Sequence, residues 1–184
     1  DSSTSRGLGD VYKRQPYYVL VGQQLADDHV GMRVTMQYVL WDYFRELGEK
    51  HVGGHKVVRE DEEGEEYDVH VGERLRKLLH MARAYGYWIA RGALTLLVLK
   101  TVDFTALHEA GTLFLQHLLL HTFLMSQTRL PMLTPRVRQN LLRAPSQVDR
   151  ERIEQLLVRG TVGQPRLAQG LFAVSYTHLR AHET

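Results

Sequence analysis

The sequence predicts an all-α fold of stacked antiparallel helical hairpins, a HEAT-like helical repeat. Three observations carry this reading. Apolar residues recur every three or four positions through most of the chain. No long alternation of apolar and polar residues, the mark of a half-buried strand, appears. Helix-length segments are separated by short turn and capping signals, as antiparallel neighbours require. Self-similarity between the segments is weak, so periodicity by itself supports an all-α domain and leaves the repeat to be tested.

Both ends of the chain stand apart from this pattern. The strings SRGLGDVYKRQ at 5–15 and VSYTHLRAHET at 174–184 resemble translations of one transposon-type sequencing adapter read on opposite strands. Residues 1–15 and 174–184 are therefore expected to be adapter-derived and are set aside before fold reasoning. The interpretable unit is residues 16–173, and the native protein is expected to extend past it on both sides.

Element by element, a first helix is expected over 16–26, with Pro16 suited to its opening turn. Asp28 is the expected N-cap of a second helix with an apolar stripe of Val34, Tyr38, Trp41, Phe44 and Leu47, ended by Gly48. Residues 49–70 contain Gly53-Gly54 and the run REDEEGEE, and are expected to form an acidic loop. A third helix over 71–91 presents Val71, Leu75, Leu78, Leu79, Ala82, Tyr85 and Ile89 on one side. Residues 93–102 fit a strand or a short buried helix, and their helical neighbours favour helix.

Thr105 is the expected cap of a fourth helix reaching residue 127. It carries Leu107, Phe114, Leu118, His121 and Met125 on one face and further leucines nearly all round, so it belongs in the centre. Thr134-Pro135 opens the next helix, Ser146 with Asp149 forms a capping-box-like start, and Gly160 follows the last periodic residue of that segment. A final helix begins at Pro165. The expected structural anchors are Trp41, Asp42, Phe44, Leu79, Phe104 and Phe114. Trp41 is read as a wedge between helices and Asp42 as a partner of the adjacent loop.

Composition narrows the function classes. The 158-residue unit is large enough for one domain with a sizeable core. It carries 19 Lys and Arg against 18 Asp and Glu, so it lacks the global basic field that drives non-specific nucleic-acid binding. Cysteine is absent, which excludes disulfides, thiolate zinc sites and a cysteine nucleophile. The most apolar run, 111–125, is too short to span a bilayer and includes Gln116, His117 and His121, so no membrane role is expected.

Enzyme signals are poor. Ser126 and Ser146, the two serines of the unit, lie outside any Gly-x-Ser-x-Gly elbow, and no phosphate-binding glycine loop occurs. His117 and His121 share a helix face, but Leu118 stands where the metalloprotease pattern needs Glu. No catalytic, metal or cofactor site is expected. The last third is basic: Arg129, Arg136, Arg138, Arg143, Arg150, Arg152, Arg159 and Arg166 oppose Asp149, Glu151 and Glu154. Arg136, Arg138, Arg143, Arg150, Arg152 and Arg159 are the candidates for contact with RNA or a partner protein. Base stacking is not expected, because no aromatic is interleaved among them.

Three stretches carry a more specific signal: PYYVLVGQQLADDH at 16–29, MQYVLWDYFRELGE at 36–49 and ARGALTLLVLKTVDFTAL at 90–107. In order and spacing they resemble the MA-3 domain of the nucleolar protein family of the suppressor-of-glycerol-defect type. The matching features are Pro16-Tyr17-Tyr18, Trp41-Asp42, Arg45-Glu46-Leu47, Gly92, the run Leu94 to Lys100, and Asp103-Phe104. The tail QPRLAQGLFAV, 164–174, is similar to that family's closing helix.

The resemblance implies stacked helical hairpins and a non-catalytic, protein-binding role in nucleolar maturation of the small ribosomal subunit. The implied partners are pre-ribosomal proteins and pre-rRNA, with no cofactor. A DEAD-box RNA helicase is implied to dock on the family's initiation-factor-4G-like middle domain, which this chain does not contain. The alternative is an MA-3-type regulator of translation that binds the helicase directly. The acidic stretch at 49–70 and the linker at 129–147 are longer than the family pattern.

Overall fold

The computed structural model describes residues 18–49, 52, 67–130, 135–144 and 147–183. Among these residues seven α-helices follow one another: α1 (residues 18–28), α2 (Val30–Glu46), α3 (Tyr67–Ala90), α4 (Glu109–Ser126), α5 (Pro135–Arg143), α6 (Arg150–Thr161) and α7 (Pro165–Glu183), with a 3₁₀ helix (Leu96–Leu99) between α3 and α4. Every regular element among the described residues is helical, and the fold is all-α.

The core forms where apolar faces of α2, α3, α4 and α7 meet. Leu40 and Phe44 of α2, Ala82 and Tyr85 of α3, and Phe114, Leu115 and Leu118 of α4 are essentially fully buried. Each large side chain removed from water contributes about 1.5–3 kcal/mol. Phe114 is the hub of an aromatic cluster. Its ring meets those of Tyr43 and Phe44 edge to face, with centroids 5.1 and 5.2 Å away.

Helix directions follow from named contacts. Lys77 pairs with Glu46 at 2.6 Å, and the Tyr85 hydroxyl donates to the Met36 carbonyl at 2.6 Å. The end of α2 thus lies beside the first half of α3, so the two are antiparallel. Gly86, late in α3, meets Leu118, His121 and Thr122, late in α4. With Phe44 beside Phe114, α4 runs in the same direction as α3. The 3₁₀ helix crosses on the α2 side, where Trp41 Nε1 donates to the Val98 carbonyl at 2.9 Å. Farther on, α6 packs on the 3₁₀ helix, and α7 packs on α4 and α6. Val174 of α7 is buried in the core.

Several local expectations are revised. The expected apolar stripe of α2 is rotated: Val34 and Tyr38 face solvent, and Met36, Leu40, Tyr43 and Phe44 are buried. This helix is apolar on two sides, and the position of α3 and α4 decides which side is covered. Asp28 is still helical. The N-cap of α2 is His29, with no side-chain cap bond, and Asp28 accepts from Gln24 instead. Gly48, at φ +100°, does end α2 as expected. The Glu49 N–H bonds the Phe44 carbonyl at 2.9 Å and the Gly48 N–H bonds that of Arg45 at 3.0 Å, a Schellman closure.

The stretch read as an acidic loop is not uniformly solvated. Glu49 is buried and accepts from the His108 N–H at 2.7 Å, and Val52 is buried in the core. Helix α3 begins at Tyr67, earlier than its periodicity suggests, while Val71 and Leu75 are exposed. Residues 93–102 hold one short 3₁₀ helix and no α-helix. Thr105 caps nothing: it bonds Asp103, and α4 opens at His108, where the remote carboxylate of Glu49 takes the capping role. Asp149 is itself the N-cap of α6 and accepts from the Arg152 N–H. Gly160 lies inside α6, and Gly163, at φ +70°, stands beyond its end. Residues 1–17, the run 59–66, Thr134 and Ser146 lie outside the described residues.

The α3–α4 approach generates a test. A Cβ added at Gly86 meets His121 Cβ at 2.7 Å and the backbone of Leu118 and Thr122 at 2.9 Å, whereas one added at Gly72 meets nothing within 4 Å. Gly86→Ala is expected to lower stability by about 1–3 kcal/mol through overpacking against backbone. Gly72→Ala is expected to raise it by up to about 1 kcal/mol through helix propensity. Urea unfolding midpoints check both, and indistinguishable midpoints count against the described contact.

Candidate functional site

The ends of α3 and α4, the start of the 3₁₀ helix and one side of α6 converge on one cleft of about 530 Å³. Arg91 stands just past α3, Arg129 just past α4, and Arg152 and Arg159 stand on α6. All four line it, together with Thr95 and Leu96 from the crossover and Ser126, Thr128 and Gln155. Among the described residues the lining contains no Asp, Glu, His or aromatic residue.

The walls are held by side chain–backbone bonds. Gln127, at the end of α4, accepts from the Asp149 N–H at 2.6 Å and donates to the Asp149 carbonyl at 3.2 Å. This amide clip ties the start of α6 to the end of α4. Gly160 lets α6 lie against the crossover, since a Cβ there falls 2.7 Å from that of Leu96. Arg91 donates to the Leu130 carbonyl at 2.5 Å and lies over the Tyr87 ring at 5.7 Å. Arg152 pairs with Asp149 at 3.1 Å and reaches the Ser126 carbonyl at 3.4 Å. Arg129 and Arg159 are exposed and have no carboxylate partner among the described residues. Two guanidiniums are thus oriented by the fold and two are free to meet an anion.

Of the arginines singled out by sequence, the structure brings Arg152 and Arg159 into this cleft. It does not bring Arg136, Arg138, Arg143 or Arg150 there: the first three belong to α5, and Arg150 is exposed in the first turn of α6. Two cleft arginines lie outside the expected contact set: Arg129 counted only in the basic excess of the last third, and Arg91 was missed altogether. In sequence it looks like an ordinary basic residue closing a helix before Gly92. The turn between α3 and the 3₁₀ helix makes it a neighbour of α6.

Among the expected anchors, Phe44 and Phe114 are fully buried, and Trp41, Leu79 and Phe104 are half-buried against the core. Phe104 packs over Gly170, leaving no room for a side chain there. Asp42 is exposed and pairs with Arg45 of its own helix rather than with the adjacent loop. Arg45 makes the loop contact, donating to the Val52 carbonyl at 3.0 Å. Asp42 fails as an anchor because its position on α2 points away from the core.

His117 and His121 do not form a metal centre: among the described residues, no group of three His, Cys, Asp or Glu side chains is placed to hold an ion. No helix among them is long and apolar enough to cross a membrane. His121 is buried, and its Nδ1 makes no hydrogen bond. Burial, reinforced by Arg83, Arg138 and His117, pushes its pKa down to about 3. The unfolded chain binds this proton near pH 6.5 and the folded chain does not, so protonation favours unfolding. Stability is complete above about pH 6.5 and falls as pH drops toward 3, by up to roughly 4 kcal/mol. His121→Leu is expected to flatten this slope in urea titrations from pH 7 to 4. An unchanged slope assigns the acid sensitivity to other groups.

No protein-family model matches the chain, and no solved structure matches it. Among curated proteins it is similar to Suppressor of glycerol defect protein 1 of Schizosaccharomyces pombe, with 27% identity over 108 residues. The matched region covers 59% of this chain and 12% of that protein's length. This likeness supports a relationship between the chain and that protein at the level of the family.

Proposed function

We propose that the chain is a non-catalytic, protein-binding scaffold module of a nucleolar factor that matures the small ribosomal subunit. The carrying observation is the likeness to Suppressor of glycerol defect protein 1, in line with the motif resemblance at 16–29, 36–49 and 90–107. In this reading α2 with α3, the 3₁₀ helix with α4, and α6 with α7 are three stacked hairpins of MA-3 type. The contact of α6 with α7 supports the last pair, and those of α4 with α7 and of α6 with the 3₁₀ helix support the stacking of the last two. The cleft supports binding over catalysis, because among the described residues its lining offers guanidiniums and hydroxyls but no His or carboxylate for proton transfer.

The proposed partners are pre-ribosomal proteins and pre-rRNA. A DEAD-box helicase is placed on a domain outside this chain. The whole protein is expected to co-sediment with small-subunit precursors in gradients of nuclear extract. Recovery solely in free cytosolic fractions, together with micromolar binding of a DEAD-box helicase to this chain, overturns the reading in favour of a translation regulator.

A further inference from the structure

The cleft between the ends of α3 and α4 and the side of α6 has a specific chemistry. Four guanidiniums converge there from three places in sequence: Arg91, Arg129, and Arg152 with Arg159. Their convergence is a product of folding, since the unit as a whole is nearly neutral. Arg152 is partly neutralised by Asp149, while Arg129 and Arg159 face no carboxylate among the described residues. Like charges brought together without counter-charge oppose folding. A bound anion relieves that repulsion, and the planar guanidinium fork matches phosphate in geometry.

The geometry points to this cleft as a clamp for the phosphodiester backbone of RNA, gripping charge without reading bases. It deepens the scaffold reading above and rests on it for the identity of the nucleic acid. Oriented guanidiniums from Arg91 and Arg152 form the fixed side, and Arg129 and Arg159 close on the strand. The Ser126, Thr128 and Gln155 side chains line the space between them. Among the described residues no aromatic lies in the lining to stack a base. The clamp therefore accepts any sequence, and its affinity falls steeply with salt. Arg129 and Arg159 are exposed where they line the cleft, so a strand passing along it can reach them.

The test uses the 184-residue chain and fluorescein-labelled oligouridylate and oligoadenylate of about 16 nucleotides, followed by anisotropy across a salt series. The two oligomers are expected to bind within about threefold of each other, with a linear fall of log affinity against log salt. The double variant Arg129→Glu with Arg159→Glu is expected to weaken binding at least about tenfold and to make the salt slope shallower by roughly 1.4, the share of two phosphates on a single strand. The charge-matched control Arg74→Glu with Lys100→Glu, both exposed and outside the cleft, is expected to change binding less than about threefold; circular dichroism checks that both variants stay helical.

Equal losses in the two variants overturn the clamp and leave bulk charge as the cause. So does a polyglutamate peptide that binds the cleft more tightly than RNA, which reassigns it to an acidic protein segment. Neither result touches co-sedimentation with small-subunit precursors. Loss of co-sedimentation with RNA binding intact removes the scaffold reading and leaves the clamp.

Discussion

The close approach of α3 and α4 at Gly86 governs much of this structure. At that point the α4 backbone of Leu118 and Thr122 lies where a side chain would otherwise stand. The two helices run in the same direction, which no short turn permits, because consecutive helices joined by a few residues must run antiparallel. The chain therefore crosses back between them, and the segment 91–108 is that crossover. The aromatic cluster around Phe114 seats the end of α2 against the same pair, so α2, α3 and α4 form one packed unit.

The crossover has consequences beyond connection. Its regular structure is one 3₁₀ turn, capped by the Thr95 side chain. Leu96 of that turn receives α6 at Gly160, and Trp41 fastens its other side through Val98. With α6 seated there, Arg152 and Arg159 come to face Arg91 and Arg129. The basic cleft is thus a by-product of how α6 docks, and the Gln127–Asp149 clip keeps its walls in register. Burial of Glu49 serves the same frame from the opposite end, replacing the missing side-chain cap of α4 with a carboxylate brought from beyond α2. Gly111 makes room for that carboxylate.

Residue patterns in the sequence were sufficient for some features and not for others. The central position of α4 followed from leucines on nearly every side. The stop at Gly48 followed from its conformational freedom, and Pro135 and Pro165 each stand first in a helix. The burial side of α2 was not legible, because Val34 and Tyr38 are as apolar as Met36 and Leu40. The caps at Asp28 and Thr105 were misread because both residues satisfy other local partners. Three of the four cleft arginines, Arg129, Arg152 and Arg159, were visible as part of the arginine excess in the last third. The fourth was hidden, since Arg91 belongs to a different helix and looks unremarkable beside Gly92.

By itself, the sequence determined that this protein is helical, roughly where its helices lie, and that it carries surplus arginine near its end. Those properties are local: they depend on spacing along the chain and on intrinsic preferences of a few residues. The tertiary structure alone decided which face of each helix is covered, which remote carboxylate caps α4, and which arginines share a cleft. Those outcomes depend on what each element meets across space, and a one-dimensional pattern carries no record of distance between residues far apart in the chain.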